Sequence, residues 1–376
     1  MSEVAAQAGV SRATVSRLMN NKTSTIKITD ETKQRVYKAI QELGYHPNRL
    51  AQGLRNQRKE IIGLSIPSYM PPNPLQDSWV EMHTAHIGKL VCGVQMVTHP
   101  SNHDIHIFER YEYRGDGAAY RSDPRLDFVD GLVYATPNPK YPRYEDAIRA
   151  GLPLVFIGPN PTQSQITSVC IDNTTVHYQI TKALVEAGHE RIGLLLAEEF
   201  DAPLSILRLR GFHLALEEMG TSTVNLPVLF GSFKPRDMQN IARAVFDHRP
   251  LPTAIIIGRN DLAFYVFREM QHREIRCPED IELIVYGDDH AFEHMTPTLT
   301  AFDIGFQQLA AETTRQLFAE LEGQAEPGRV IYLPGRLRVR ESCNLKADTV
   351  DPNNNGATDN TGYESGREVL IREKVL

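Results

Sequence analysis

The 376-residue chain is predicted to join an N-terminal all-α headpiece to a larger α/β body built on parallel, doubly wound sheets. Three observations predict this. First, two short stretches with apolar residues at helical spacing flank Gly9 at the start of the chain. Second, from about residue 60 short apolar runs alternate with helical patterns, and buried strands alternating with helices mean parallel sheets. Third, charge divides the chain at the same place. Residues 1–60 hold 11 Lys/Arg and 5 Asp/Glu, a balance of +6, while the other 316 hold 29 and 42, a balance of −13, giving the net −7. A basic module on an acidic body is expected if only the first part meets phosphates.

The elements follow in order. Val4, Ala5 and Ala8 make the apolar stripe of a first short helix, for which Ser2 is the only available side-chain cap. Gly9 stands where a helix end needs a left-handed residue. Ser11 can cap a second helix with Val15, Leu18 and Met19 inward and Arg12, Ala13, Ser16 and Arg17 outward. Two short helices joined at a glycine, with arginines on the exposed side of the second, predict a helix-turn-helix DNA reader. A polar loop follows from Asn20, and Thr29 can cap a third helix with Asp30 and Glu31 in its first turn. Val36, Ile40 and Leu43 are its expected buried stripe and Gly44 its end. Pro47 suits the first position of another short helix running to Arg55, but Gly53 within it costs roughly 1 kcal/mol relative to Ala. A helix this short is marginal alone, so it is expected to be coil in free protein and helical on DNA.

In the body, strands are expected at 61–66, 105–108, 131–134, 154–157, 192–196, 254–257 and 282–286. Helices are expected at 176–187, 207–219, 237–247 and 262–273. Residues 344–376, with Asp351-Pro352-Asn353-Asn354-Asn355-Gly356, are expected to be a polar, disordered tail. Cys92, Cys170, Cys277 and Cys343 are scattered without a C-x-x-C, which fits a cytoplasmic protein and neither a disulfide framework nor a zinc site. The start MSEVAAQAGV lacks the features of a signal peptide, and no apolar run approaches the ~18 residues of a membrane span.

The run A-x-x-A-G-V-S-x-x-T-V-S-R, from Ala5 to Arg17, resembles the headpiece of the lactose-repressor (LacI/GalR) family of bacterial transcription regulators. Gly44-Tyr45-His46-Pro47-Asn48, continuing through Ala51 to Leu54, is similar to that family's hinge. Further on, Asp172-Asn173, Gly188-His189-Glu190-Arg191-Ile192, Arg208-Leu209-Arg210-Gly211-Phe212, Pro252-Thr253-Ala254 with Asn260-Asp261, and Tyr286-Gly287-Asp288-Asp289 resemble its recurring motifs, the last with Gly and Tyr exchanged. The resemblance covers residues 1–343 and implies a headpiece at 1–46, a hinge at 47–59 and a periplasmic-binding-protein-like core at 60–343. That core would have two α/β subdomains joined by three crossovers: one of 60–159 and 288–321, the other of 160–287 and 322–343.

The same resemblance assigns sites. Arg12, Ala13 and Arg17 occupy the specificity positions of the reading helix. An arginine fork can hold two acceptors of guanine, the alternative being a phosphate contact alone. Ser11, Thr14 and Ser16 could donate to phosphates, although Ser11 could serve only as a cap. Leu54 matches the wedge that two protomers insert at the centre of an operator, at a C-G step, with Asn48 and Arg55 also toward DNA. Arg208, Asn260 and Asp288 match residues that hydrogen-bond the effector in sugar-responsive relatives; the alternative is that they only hold the cleft together. Gly158 stands where the lactose-type pattern has a carboxylate, which argues against lactose-like specificity but not against a sugar.

His290 and His294 lie four apart beside Asp288, Asp289 and Glu293; a solvated loop is the expectation, and no metal or cofactor is implied. No G-x-G-x-x-G, P-loop or G-x-S-x-G is present, and nothing marks a nucleophile with its base, so an enzyme is not expected. The expected function is a ligand-responsive transcription regulator of the repressor type. It would act as a homodimer, with a tetramer also open, on a palindromic double-stranded DNA operator, with a small-molecule effector of the sugar class. The rival is a sugar-binding protein of a transport system, which the basic headpiece disfavours.

Overall fold

A computed structural model describes residues 1–19, 28–45, 58–68, 80–111, 124–140, 142–162, 165–197, 202–220, 227–232 and 234–346. The chain divides into two units, Met1–Glu60 and Ile61–Leu376.

The first unit is three helices: α1 (Ser2–Ala8), α2 (Arg12–Met19) and α3 (Asp30–Glu42). Gly9 ends α1 at φ 63°, ψ 40°, the left-handed conformation in which its N–H turns back to the carbonyls of Ala5 and Ala6. Ser11 then accepts from the Thr14 N–H at 3.1 Å, starting α2, and Thr29 accepts from the Thr32 N–H at 3.4 Å, starting α3. Val4, Ala5, Ala8, Val15, Leu18, Val36 and Ala39 form one buried cluster, with Met19 and Ile40 packed at its margin. Two expectations are corrected. Met1, not Ser2, is at the N-cap of α1, and it makes no side-chain cap bond. Leu43 is 40% exposed because it lies at the C-cap of α3, beyond the buried turn, and Ala39 takes the inward position.

The body carries two six-stranded sheets. The first has the order β11-β5-β4-β3-β1-β2 and the second β12-β10-β9-β8-β6-β7. The strands are β1 (Ile61–Ser68), β2 (Asp104–Tyr111), β3 (Gly131–Ala135), β4 (Leu154–Ile157), β5 (Thr167–Cys170) and β6 (Ile192–Leu196). They continue with β7 (Val228–Phe230), β8 (Ala254–Ile257), β9 (Glu282–Tyr286), β10 (Thr300–Asp303), β11 (Val330–Tyr332) and β12 (Arg336–Arg338). All pairings are parallel except β10 with β12. The helices are α4 (Val80–Thr98), α5 (Tyr144–Arg149), α6 (Asn173–Glu186), α7 (Pro203–Glu218), α8 (Pro235–Asp247), α9 (Asn260–His272) and α10 (Phe306–Leu321).

Alternate residues of the central strands face opposite sides, as a parallel sheet covered on both faces requires. Leu194 and Leu196 join a cluster shared by both sheets, while Leu195 faces a second cluster with Ile255, Ile257 and the apolar face of α8. The first sheet has its own outer cluster around Phe108, Tyr134, Tyr144 and Phe156.

Three crossovers join the two halves, but each lies further along the chain than the resemblance implies. Thr167–Cys170 pairs with β4, so the first crossing falls at Ile171–Asp172 rather than near 159. Thr300–Asp303 pairs with β9, so the second precedes α10, which packs against α4, β3, β4 and β5. Val330–Tyr332 pairs with β5 and Arg336–Arg338 with β10, so the third is the short link between them. Each boundary moves because ladder pairing, not sequence motif, decides which sheet a short strand joins. Residues 344–346 also belong to the core, since Leu345 is buried in the shared cluster and Asn344 donates to Glu282 at 2.6 Å. No helix among the described residues is long and apolar enough to cross a membrane.

Candidate DNA-reading helix and effector cleft

The reading helix follows from its own sequence. Val15 and Leu18 anchor α2 in the headpiece core, which turns Arg12, Ala13 and Arg17 to the exposed side. Thr14 and Ser16 are half-buried at its edge, and the Ser11 hydroxyl lies 2.9 Å from that of Thr14. Ser11 thus serves as a cap while remaining exposed. Asn48, Leu54 and Arg55, with the whole 47–55 hinge, lie outside the described residues.

The second candidate site forms where β8 and β9 end. In open parallel sheets the carboxyl ends of strands are where loops diverge and ligands bind. Arg208 projects from α7 and is 5% exposed. Its Nη1 donates to the Gly258 carbonyl at 2.9 Å, its Nε to Asn173 Oδ1 at 3.2 Å, and its guanidinium carbon sits 4.4 Å from the Tyr286 ring centroid. Two glycines make room for this. A methyl group on Gly211 would overlap the Thr174 carbonyl oxygen, so only glycine lets α7 lie this close to the start of α6. A methyl on Gly258 would come within 2.6 Å of Leu196 Cδ2 and 3.5 Å of Arg208 Nη1.

Asn260 is buried at the start of α9, two residues beyond the carbonyl that Arg208 holds. Its Oδ1 accepts from the Asp261 N–H at 2.9 Å and its Nδ2 donates to Asp289 Oδ2 at 3.3 Å. Asp261, in the first turn of α9, accepts from the Leu262 N–H and from Arg259 Nε at 2.6 Å. Asp288 follows β9, and its carboxylate is gripped by both terminal nitrogens of Arg340, at 2.9 and 3.0 Å, and by Arg338 Nε at 3.1 Å. Lys89, from the first half of the body, donates to the Asp288 carbonyl at 3.3 Å. The structure therefore gathers Arg208, Asn260 and Asp288 around the ends of two neighbouring strands, linked through Gly258, Tyr286 and Asp289 rather than directly.

Several participants had little sequence signal. Asn173 stands in a motif but owes its role to Arg208, 35 residues away. Arg338 and Arg340 meet Asp288 across the sheet, and no local pattern marks them. The exchange of Tyr286 and Gly287 also gains a consequence. Tyr286 ends β9 beneath Arg208 and stacks on Phe302 with ring centroids 5.5 Å apart, while Gly287 supplies φ 96° to the turn. His177, fully buried, is the other ring neighbour of Tyr286, with centroids 5.1 Å apart and its Nδ1 2.9 Å from the Asn173 carbonyl oxygen. Burial and the nearby Arg208 charge push its pKa down to about 3, so the ring is neutral.

By contrast, His189 and Thr253 lie at the opposite ends of the strands. His189 Nδ1 is 3.0 Å from the Thr253 hydroxyl and its Nε2 is 3.5 Å from Glu282 at the start of β9. These two motif residues fasten strand starts and touch no part of the cleft. The four cysteines are free thiols, and burial pushes Cys170 and Cys277 up to about 12, which leaves them protonated and inert.

A helix-turn-helix headpiece ahead of a two-sheet α/β body defines a DNA-binding transcription regulator with a binding-protein-like core. Comparison with known proteins gives the same result. Residues 1–48 match the family of bacterial regulatory proteins, lacI family, and residues 181–343 match a periplasmic binding protein-like domain. The chain thus carries a lacI-family helix-turn-helix domain and a periplasmic-binding-protein-like domain, and the relatives it matches are transcription regulators of that family. Over 344 residues it is 25% identical to the NTD biosynthesis operon regulator NtdR of Bacillus subtilis (strain 168), covering 90% of this chain and 98% of that one. It is 28% identical over 345 residues to the HTH-type transcriptional repressor PurR of Pasteurella multocida (strain Pm70), covering 90% and 97%. Among solved structures, the transcriptional regulator CelR–cellobiose complex is similar with a TM-score of 0.67 at 25% identity, covering 91% of this chain and 98% of that one. The lac repressor dimer bound to operator and the anti-inducer ONPF is similar in fold, with a TM-score of 0.70 at 22% identity and coverage of 90% and 97%.

Proposed function

We propose that this regulator is a repressor that binds a palindromic operator as a homodimer and responds to a sugar held between the two halves of its core. The observation that carries the reading is the convergence of Arg208, Asn173, Asn260, Tyr286 and Asp288 at the ends of β8 and β9. A guanidinium and two amides offer directed donors and acceptors to vicinal hydroxyls, and the Tyr286 ring backs the guanidinium and holds it in place. The CelR structure with cellobiose supports the sugar class. On DNA, Arg12 and Arg17 read bases, Ala13 lets the helix approach closely, and Ser11, Thr14 and Ser16 hold phosphates. Asn48, Leu54 and Arg55 act in the minor groove from the hinge.

Effector binding shifts the population between arrangements that do and do not place two headpieces on one operator. A thermal-shift screen of mono- and disaccharides, nucleosides and organic acids, followed by operator gel shifts with each hit, tests this. A sugar at ten times its Kd should stabilise the core by about 1.4 kcal/mol and change operator affinity. A hit that binds Arg208→Ala and Asp288→Ala with full affinity would remove the cleft assignment, and a hit that is not a sugar would replace the class.

A further inference from the structure

Asp289 caps a short 3-10 helix, His290–His294, by accepting from the Ala291 N–H at 3.0 Å. Both histidines on it are exposed, and their Nε2 atoms face each other at 3.3 Å with the rings nearly perpendicular, 87°. In the free protein one ring N–H can donate to the other ring nitrogen across this distance. The same spacing matches metal geometry: two nitrogens each ~2.0–2.1 Å from a tetrahedral zinc ion lie about 3.3–3.4 Å apart. On the other side of His290, Nδ1 is 3.6 Å from Glu293 Oε2, and Glu293 is itself held by Arg340 at 3.1 Å. At this ion-pair distance the carboxylate favours positive charge on His290 electrostatically, and a small closing movement would give the outer hydrogen bond that commonly supports a metal-bound histidine.

We propose that His290 and His294 form a two-imidazole site for a divalent transition-metal ion of the zinc class. Among the described residues no group of three or more His, Cys, Asp or Glu side chains is arranged around one ion. Water therefore completes the coordination, as the exposure of the pair allows. Imidazole selects zinc, nickel and copper over magnesium and calcium. The site is adjacent to the effector cleft, because the same turn carries Asp288 and Asp289, so an ion there stiffens the segment that presents them.

Isothermal titration of the untagged full-length chain with Zn2+ tests the site, using Mg2+ as the hard-cation control. The chain has 13 histidines, so the difference between variants decides, not binding alone. His290→Ala and His294→Ala, both at exposed positions that leave the fold intact, should each weaken the tightest Zn2+ site at least tenfold. Zn2+ should also slow amide hydrogen exchange across 290–295 in the parent protein and not in either variant. Equal Zn2+ affinity in the parent and the double variant, or unchanged exchange in this turn, overturns the proposal.

Discussion

Arg17 and Arg12 differ from the other basic residues of the headpiece by their position on a helix whose opposite face is locked by Val15 and Leu18. A locked helix can present a guanidinium in one orientation, which bidentate base reading needs and phosphate binding does not. Arg17→Ala should therefore lose about 1–3 kcal/mol of discrimination between operator and random DNA, measured by competition gel shift. An equal fall on both DNAs would make Arg17 a phosphate contact. His177 gives a residue-scale prediction for the core. Its native pKa is depressed to about 3, against an ordinary value near 6.5 in the unfolded chain. As pH falls below 6.5 the unfolded state takes up a proton that the native state refuses, so this contribution is present above pH 6.5 and lost toward pH 3. The loss between pH 6.5 and 5 should be about 1–2 kcal/mol, and His177→Gln should remove that share of the slope in urea unfolding. A parent and variant with the same pH slope would mean that the ring is protonated or open to water.

At the scale of elements, the cleft depends on how close two helices can come. Gly211 removes the side chain that would otherwise hold α7 away from the Thr174 carbonyl, and Asp172 caps α6 by accepting from the Thr175 N–H at 2.9 Å. Together these set Asn173 against Arg208. Gly211→Ala should therefore cost about 1–3 kcal/mol of stability through overpacking, and it should weaken effector binding although the residue touches no ligand. Denaturant midpoints and ligand titration on the same preparation check both. Unchanged stability would show that α6 and α7 have slack at this crossing. The same element view separates the motifs: Arg208 and Asn260 stand where strands end, whereas His189 and Thr253 stand where they begin.

At the scale of the whole molecule, the proposed Leu54 wedge and the reading helix form one device under the proposed function. If two copies bind across a two-fold axis, both Leu54 side chains meet at the operator centre, where a pyrimidine–purine step unstacks most readily. Leu54→Ala should then weaken operator binding far more than non-specific binding, because only the specific complex contains the kink. Selection of bound sequences from a random pool checks the symmetry: a near-palindrome with a fixed central C-G step is expected, and an asymmetric site would refute both wedge and dimer.

Much of this was legible in the chain itself. Caps at Ser11 and Thr29, the left-handed Gly9 and the spacing of Val4, Ala8, Val15 and Leu18 act within a few residues, so local sequence specifies the headpiece helices. The central strands were equally plain, because strands buried on both faces are continuous apolar runs. Tertiary structure alone decided the rest. Strands of three or four residues such as Thr167–Cys170 and Val330–Tyr332 carry too little pattern to declare a sheet, and their ladders placed every crossover. It also decided that Asp288 would be neutralised by Arg338 and Arg340, and that two exposed histidines would face each other. Local sequence specifies the conformation of a segment, but which distant side chains meet depends on pairings separated by tens of residues, and those exist only once the chain has folded.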